Sequence, residues 1–288
     1  MGMGKSLAGR FPAVRELYEQ ADDILGWSLS KISFEGPVEE LTETRVCQPA
    51  LLVHGLAGLE ALRQHGCAPT PVAALGLSLG EVTALTAAGV YRFADGLRVV
   101  ARRGELMQRA CEQTPGAMAC VIGGSVEAVE ALCQECDVDM ANLNCPGQIV
   151  ISGDREGIKK ALGLGKEKGF KHVIPLKVAG AYHSRLMESA REEFGAFLRE
   201  IPMQEPEVPV FSNTTGQRVQ TKEEIYTALE KQVVSPVRWE ECMRNAAALG
   251  VSEFIEFGPG GVLAGLARRI DSSWKVHALE EAGDVEKL

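Results

Sequence analysis

No apolar run in these 288 residues reaches the ~18 to 20 needed to cross a bilayer. The opening stretch MGMGKSLAGRFP lacks the apolar core of a secretion signal. An excess of positive charge is also missing. Thirty Lys and Arg against 39 Asp and Glu leave a formal charge of −9, which argues against nucleic acid or an anionic membrane as the main partner. The eight cysteines have no disulfide-framework spacing, so reduced thiols are expected, in a cytoplasm or in an organelle matrix of a eukaryotic source. Fixed-period repeats and low-complexity segments are absent too. What the chain does have is 45% hydrophobic residues, enough for one large core with or without an inserted subdomain.

The spacing of those apolar residues predicts alternating elements. PAVRELYEQADDIL (12–25) has helical periodicity, and QPALLVHGLAGLEALRQHG (48–66) reads as a helix with Pro49 near its start and Gly66 as its stop. VAALGL (72–77) is a short buried-strand candidate, followed by a helix over about 80–88 and another over 93–113. From residue 116 the rhythm becomes β-α-β-β-α-β: strands in AMACVIG, VDMANLN, GQIVISG and KHVIPLKV, a helix after Ser125, and a second helix from Asp154 to Gly169. That order is the split βαβ, ferredoxin-like pattern. The expected organisation is therefore a large α/β domain from 1–115 and 179–288, with a ferredoxin-like subdomain at 116–178. Helices over 184–200, 221–233 and 238–249, strands in VPVFSN and EFIEFG, and the turn-helix PGGVLAGLARRI complete the layout.

Within GLSLG (76–80), Ser78 fits the G-x-S-x-G nucleophile elbow, in which a tight strand-to-helix turn exposes the hydroxyl. Glycines are expected on both sides because the turn crowds Cβ atoms. The helix N-terminus that follows would place the Leu79 N–H where an oxyanion develops. A purely structural Gly-Ser-Gly turn is the alternative. Of the five histidines, His54 reads as a satisfied core residue, His65 as a helix end, and His172 and His277 as strand residues. His183 stands in a glycine-containing loop, where catalytic groups concentrate, and is the candidate base. In the 93–113 helix, Arg98, Arg102, Glu105 and Arg109 form a solvated stripe, whereas Arg103 shares the apolar stripe of Val99, Val100 and Met107. A buried arginine has to be matched, either by an internal salt bridge or by a substrate carboxylate that its planar guanidinium would clamp.

Taken in order, CQPALL, GLSLGEVTALTAAGV, RRGELMQRA, GAMACVIG, NLNCPGQIVISG, AYHSRLM, FSNTTG, QVVSPVRW and FIEFGPGGVLAGL cover nearly the whole chain. Together they resemble the malonyl-CoA:acyl carrier protein transacylases. The resemblance implies an α/β-hydrolase-like large domain with a ferredoxin-like insertion, and a ping-pong transfer of malonyl from CoA to the phosphopantetheine thiol of acyl carrier protein in fatty-acid biosynthesis. Ser78 would carry the acyl group, His183 would be the base, and Arg103 would bind the malonyl carboxylate and so disfavour acetyl-CoA. The backbone carbonyl of Gln232 would orient the histidine. No cofactor and no metal is implied, since the CoA thioester is a substrate, and a monomer is expected. Related alternatives are a discrete acyltransferase or editing hydrolase of polyketide synthesis, and a truncated paralogue that only binds partners.

Two departures from the family pattern stand out. Leu77 replaces a usual histidine before the nucleophile, which puts acyl selectivity in question. The family's first strand and PGQGxQ loop would fall before Met1, and that loop supplies an oxyanion-hole donor. For a basic patch that docks an acidic carrier, the candidates are Lys159, Lys160, Lys166, Lys168 and Lys171, or Arg268 and Arg269. GMGKS lacks the spacing and preceding strand of a phosphate loop. Cys133-x-x-Cys136 reads as helix packing rather than metal ligation, and FGPGG (257–261) as a turn with an anion site as the minor reading. The expectation at the N-terminus can be checked by rate: the 288-residue chain should transfer malonyl on the order of 100- to 1000-fold more slowly than one extended upstream, and equal rates would refute it.

Overall fold

The computed structural model describes all 288 residues. Seven helices come first: α1 Lys5–Arg10, α2 Pro12–Leu25, α3 Leu29–Glu35, α4 Val38–Leu41, α5 Thr44–His65, α6 Leu79–Ala87 and α7 Phe93–Gln113. Local chemistry sets their ends. Pro12 stands in the first turn of α2 where its missing N–H costs nothing, and Gly26 and Gly66 close α2 and α5 in the left-handed conformation. Helix α5 begins at Thr44, so Pro49 lies inside it rather than near its start. The proline is buried, and packing of this long helix outweighs the one backbone bond the ring removes. Helices α5 and α7 supply Leu52, Val53, Leu62, Leu97, Val100 and Leu106 to a core of 42 buried residues.

The middle of the chain folds as β1 Gly116–Ile122, α8 Val126–Cys136, β2 Asp139–Cys145, β3 Gln148–Asp154, α9 Arg155–Leu164 and β4 His172–Pro175. The sheet is antiparallel throughout with order β2-β3-β1-β4, the arrangement of a split βαβ unit. Cys120 sits opposite both Val150 and Ile174. A separate core of 12 buried residues, including Val121, Leu132, Ile151 and Ile158, lies between sheet and helices. Cys133 and Cys136 belong to it, which is the packing role read from their helical spacing. Helix α9 ends at Leu164, not at Gly169. Gly163 and Gly165 weaken the helix, and Gly165 packs so closely on Val173 that a Cβ there would lie 2.3 Å from it.

The remainder comprises α10 Glu188–Leu198, β5 Val210–Phe211, β6 Arg218–Val219, α11 Lys222–Gln232, α12 Trp239–Ala247, β7 Glu253–Phe257, α13 Val262–Ile270, β8 Lys275–Leu279 and α14 Ala282–Val285. Strands β7 and β8 are parallel, with Glu253 opposite Lys275. The strand expected over 72–77 reduces to one parallel bridge between Ala74 and Val210, and VPVFSN to the two residues of β5. Between the two backbones there is only that bridge and a bond from the Ala74 N–H to the Pro209 carbonyl. The small sheet is joined to the later chain by the Leu143 N–H on the Val237 carbonyl and the Val237 N–H on the Ala141 carbonyl, each 2.8 Å.

The turn ahead of α13 is not an anion site. The buried Glu256 carboxylate already accepts the N–H groups of Leu263 and Ala264 at 2.9 and 2.8 Å, and Glu280 accepts that of Gly260. The chain thus fills its own helix N-terminus with a fixed negative charge. Replacing Glu256→Ala should lower the unfolding free energy by about 1–2 kcal/mol in a urea titration, and an unchanged midpoint would show that the cap carries no stability.

Candidate active site

Ser78 is the residue before α6 and has φ 56°, ψ −113°, a conformation that costs an L-residue energy and marks sites where geometry serves chemistry. Gly76 makes the turn possible: a Cβ on it would lie 1.7 Å from the Gly80 carbonyl oxygen. Gly80 has open space instead, with nothing within 4 Å of such an atom, so crowding explains only the first of the two flanking glycines. Asn213, fully buried, clamps the turn from outside: its Oδ1 accepts the Ser78 N–H at 2.7 Å and its Nδ2 donates to the Gly76 carbonyl at 2.8 Å. Leu79 is the first residue of α6, so its N–H has no carbonyl one turn back inside the helix.

His183 lies on the loop after β4, also with φ 56°. Its Nδ1 is 2.8 Å from the Gln232 carbonyl and its Nε2 is 2.7 Å from Ser78 Oγ. A carbonyl only accepts, so Nδ1 carries the proton and Nε2 offers a lone pair to the serine hydroxyl. Burial pulls the imidazole down to about 4, and the positive charge of Arg103 adds to that shift. At neutral pH the base is therefore unprotonated and ready to accept.

Arg103 is 1% exposed and makes no ion pair at all. Its Nη1 donates to Gln48 Oε1 at 2.7 Å, and its Nη2 to Gln232 Oε1 at 2.8 Å and to Ser78 Oγ at 3.0 Å. Burial lowers its pKa to about 10, opposed by the charge of Glu81, so it stays cationic. The internal salt bridge considered from sequence is absent; neutral amide oxygens stand in its place. Gln232 is the junction. Its main chain holds His183, its Oε1 holds Arg103, and its Nε2 donates to the Ser78 carbonyl at 3.0 Å and to Glu81 at 2.6 Å. A serine hydroxyl thus sits between a neutral base and a buried cation, beside a free helix N–H. That arrangement suits nucleophilic acyl transfer.

The family model described as "Acyl transferase domain" matches residues 1–284. The chain belongs to the acyl transferase domain family. A "Malonyl CoA-acyl carrier protein transacylase" of Bacillus subtilis (strain 168) is 42% identical over 291 residues, covering 99% of this chain and 91% of the relative. The one from Escherichia coli (strain K12) is 37% identical over 285 residues, with 98% and 92% covered. Among solved structures, a "type II PKS acyl-carrier protein in complex with its malonyl-transacylase" matches with TM-score 0.96 and 36% identity over all of this chain and 94% of that one.

This acyl transferase domain brings together Ser78, Leu79, Arg103, His183 and Gln232, the five residues singled out from sequence. Three further members of the network, Gln48, Glu81 and Asn213, escaped that reading. Glu81 carried a signal, a carboxylate three residues after the serine. Gln48 and Asn213 look like any buried polar residue until the fold sets them beside Arg103 and the turn. His54 is corrected as well: it is buried with both ring nitrogens unpartnered, and burial pulls it down to about 4. Leu77 packs with the Trp239 cluster. Of the expected basic patch, Lys168 pairs with Glu135, Lys159 lies 3.9 Å from Glu156, and Lys160 donates to the Glu135 carbonyl, so acids interleave it. Arg269 donates to Gln148. No group of three or more His, Cys, Asp or Glu is placed to hold a metal ion.

The two glycines give a direct check. Gly76→Ala should abolish the folded nucleophile turn and lower the melting temperature sharply. Gly80→Ala should keep or slightly raise it, since alanine favours a helix by about 1 kcal/mol over glycine. A reversed order in thermal melts would contradict the turn geometry.

Proposed function

We propose that this chain transfers malonyl from malonyl-CoA to the phosphopantetheine thiol of acyl carrier protein through a malonyl-Ser78 intermediate. The observation that carries the reading is the position of Ser78 Oγ, at hydrogen-bond distance from both His183 Nε2 and Arg103 Nη2. Ser78 Oγ attacks the thioester carbon as its proton passes to His183 Nε2. The Leu79 N–H and the N-terminus of α6 meet the developing oxyanion. Collapse breaks the C–S bond and the CoA sulfur takes the proton from His183. The carrier thiol then repeats the sequence in reverse roles, giving its proton to His183 and releasing Ser78.

Arg103 sets the acyl selectivity in this scheme. A malonyl carboxylate offers the guanidinium the charged partner that Gln48 and Gln232 only imitate, and charge-assisted pairs are roughly twice as strong as neutral ones. The chemistry calls for no cofactor, and a monomer in the cytoplasm is part of the same reading. No helix is long and apolar enough to cross a membrane. The division at 116–178 into a small subdomain within a larger domain belongs to the proposal as well. The bond between β2 and Val237 would set its sheet beside the nucleophile. Transfer to a polyketide carrier is the second reading, favoured by the complex of similar fold whose partner is a type II polyketide synthase carrier. Comparing fatty-acid and polyketide carriers as acceptors separates the two.

Incubation with malonyl-CoA should add one malonyl group, detected by intact mass, and Ser78→Ala should remove it; a label that survives, or that never forms, refutes the proposal. Arg103→Gln should slow malonyl labelling by roughly 10- to 100-fold with less effect on acetyl. The pH profile follows from His183, whose pKa is lowered to about 4. The base form persists as pH falls and is lost only through that value. Labelling rates should therefore hold to about pH 5 and fall with a midpoint near 4. A midpoint near 6.5 would mean that the imidazole is not buried as described.

A further inference from the structure

Glu81 is part of the network, yet the transfer steps above do not use it. It lies on the first turn of α6, 1% exposed, and one of its carboxylate oxygens accepts from Gln232 Nε2 at 2.6 Å and from the Asn213 N–H at 3.1 Å. Through Gln232 it connects to Arg103, whose own hydrogen bonds all end on neutral oxygens. A buried cation and a buried anion therefore stand on either side of one amide, and their charges sum to zero.

An acyl group that carries its own carboxylate upsets that balance. With it at Arg103, two buried anions would face one cation in a site of low dielectric, which is costly. We propose that Glu81 takes up a proton when a carboxylated acyl group docks at Arg103, so that Glu81, with Arg103, determines the charge of the acyl chain the site accepts. This rests on the reading of Ser78 as the malonyl acceptor.

The surroundings of Glu81 fit that role. Besides Arg103 from α7, the titratable groups that feel its charge are Tyr91, in the turn between α6 and α7, and Cys242 from α12. Arg103 is the one cation among them, and His183 is influenced by Arg103 rather than by Glu81. The Tyr91 hydroxyl is buried without a hydrogen-bond partner, so no bond to it holds the Glu81 carboxylate in its ionised form. Burial already raises the Glu81 carboxyl to about 7, although the bonds from Gln232 and Asn213 and the charge of Arg103 all oppose the rise. A second carboxylate near Arg103 weakens that opposition and moves the group further up. Gln232 also reports the change: an uncharged Glu81 holds its Nε2 less strongly, freeing the amide as Oε1 yields Arg103 to the substrate.

The balance is explicit. The Ser78 Oγ–C bond forms, the thioester C–S bond breaks, and the serine proton reaches the CoA sulfur through His183. One further proton comes from solvent to Glu81. Acylation by malonyl-CoA thus consumes a proton that acylation by acetyl-CoA does not. The sign with pH follows: malonyl loading is favoured at low pH and weakens above about 7, the region where free Glu81 becomes ionised.

The test is a proton count in weak buffer at about pH 8 with an indicator dye, with malonyl- or acetyl-Ser78 quantified by mass. The intact protein should take up roughly half to one proton per malonyl-serine relative to acetyl-serine, after the same correction for the CoA thiol. Glu81→Gln, whose amide is neutral from the start, should show no such difference. Its malonyl-loading equilibrium should also be flat with pH, where the parent's declines by up to about tenfold per unit above 7. Should the variant fail to fold, the malonyl–acetyl difference in the unaltered chain decides alone. Equal proton balance for the two thioesters, with Ser78 labelled, overturns this inference and leaves transfer intact. No malonyl label on Ser78 overturns the transfer reading and this inference with it.

Discussion

Gln232 holds the base with its main chain and the arginine with its side chain, and the rest of the site depends on that double grip. Its carbonyl fixes the His183 tautomer, its Oε1 points Arg103 at the serine, and its Nε2 ties both to α6 through Ser78 and Glu81. A residue at the end of α11 therefore joins the nucleophile turn, the histidine loop and α7. Removing only the side chain would leave the histidine in place and release the arginine. Moving the backbone would misplace the base itself. The two faults differ in kind, because one frees a buried cation and the other moves the imidazole away from the Ser78 hydroxyl.

The network is costly to maintain, and the fold surrounds it with what offsets the cost. A guanidinium buried to 1% exposure is tolerable because α5 and α11 place the amide oxygens of Gln48 and Gln232 around it and because Glu81 lies one amide away. Ser78 and His183, two of the three non-glycine residues with positive φ, are each held by hydrogen bonds to distant parts of the chain. The apolar packing of the 42-residue core supplies the stability against which these local penalties stand. The Arg103 Nε remains without a partner, a residual cost that the neutral amides do not remove.

Ser78, His183 and Arg103 were legible in the sequence because each breaks a local pattern. A serine between glycines ends an apolar run, a histidine sits in a loop between regular elements, and an arginine falls on the wrong side of an amphipathic helix. The long helices and the βαββαβ order were legible for the same reason, since periodicity survives without tertiary context. Gln48 and Asn213 break no pattern of their own, and only the fold gives them partners. The strand at 72–77 failed because apolar character alone does not say whether a neighbour exists to pair with. Helix α5 began earlier than its proline suggested because burial outweighed one missing bond. Gly80 was explained by crowding that the structure does not show, and His54 by partners that it does not have.

Gln232 also bears on how competence arises as the chain folds. Its contact with Ser78 spans 154 positions, and that with His183 spans 49. Loops of that size close late and slowly, after the helices and the small antiparallel sheet have formed from nearer neighbours. The nucleophile turn can exist before then, but the base, the cation and the serine share one geometry only when the last third of the chain has docked. Reactivity at Ser78 is accordingly a property of the completed fold: partly folded species carry the serine without its activation.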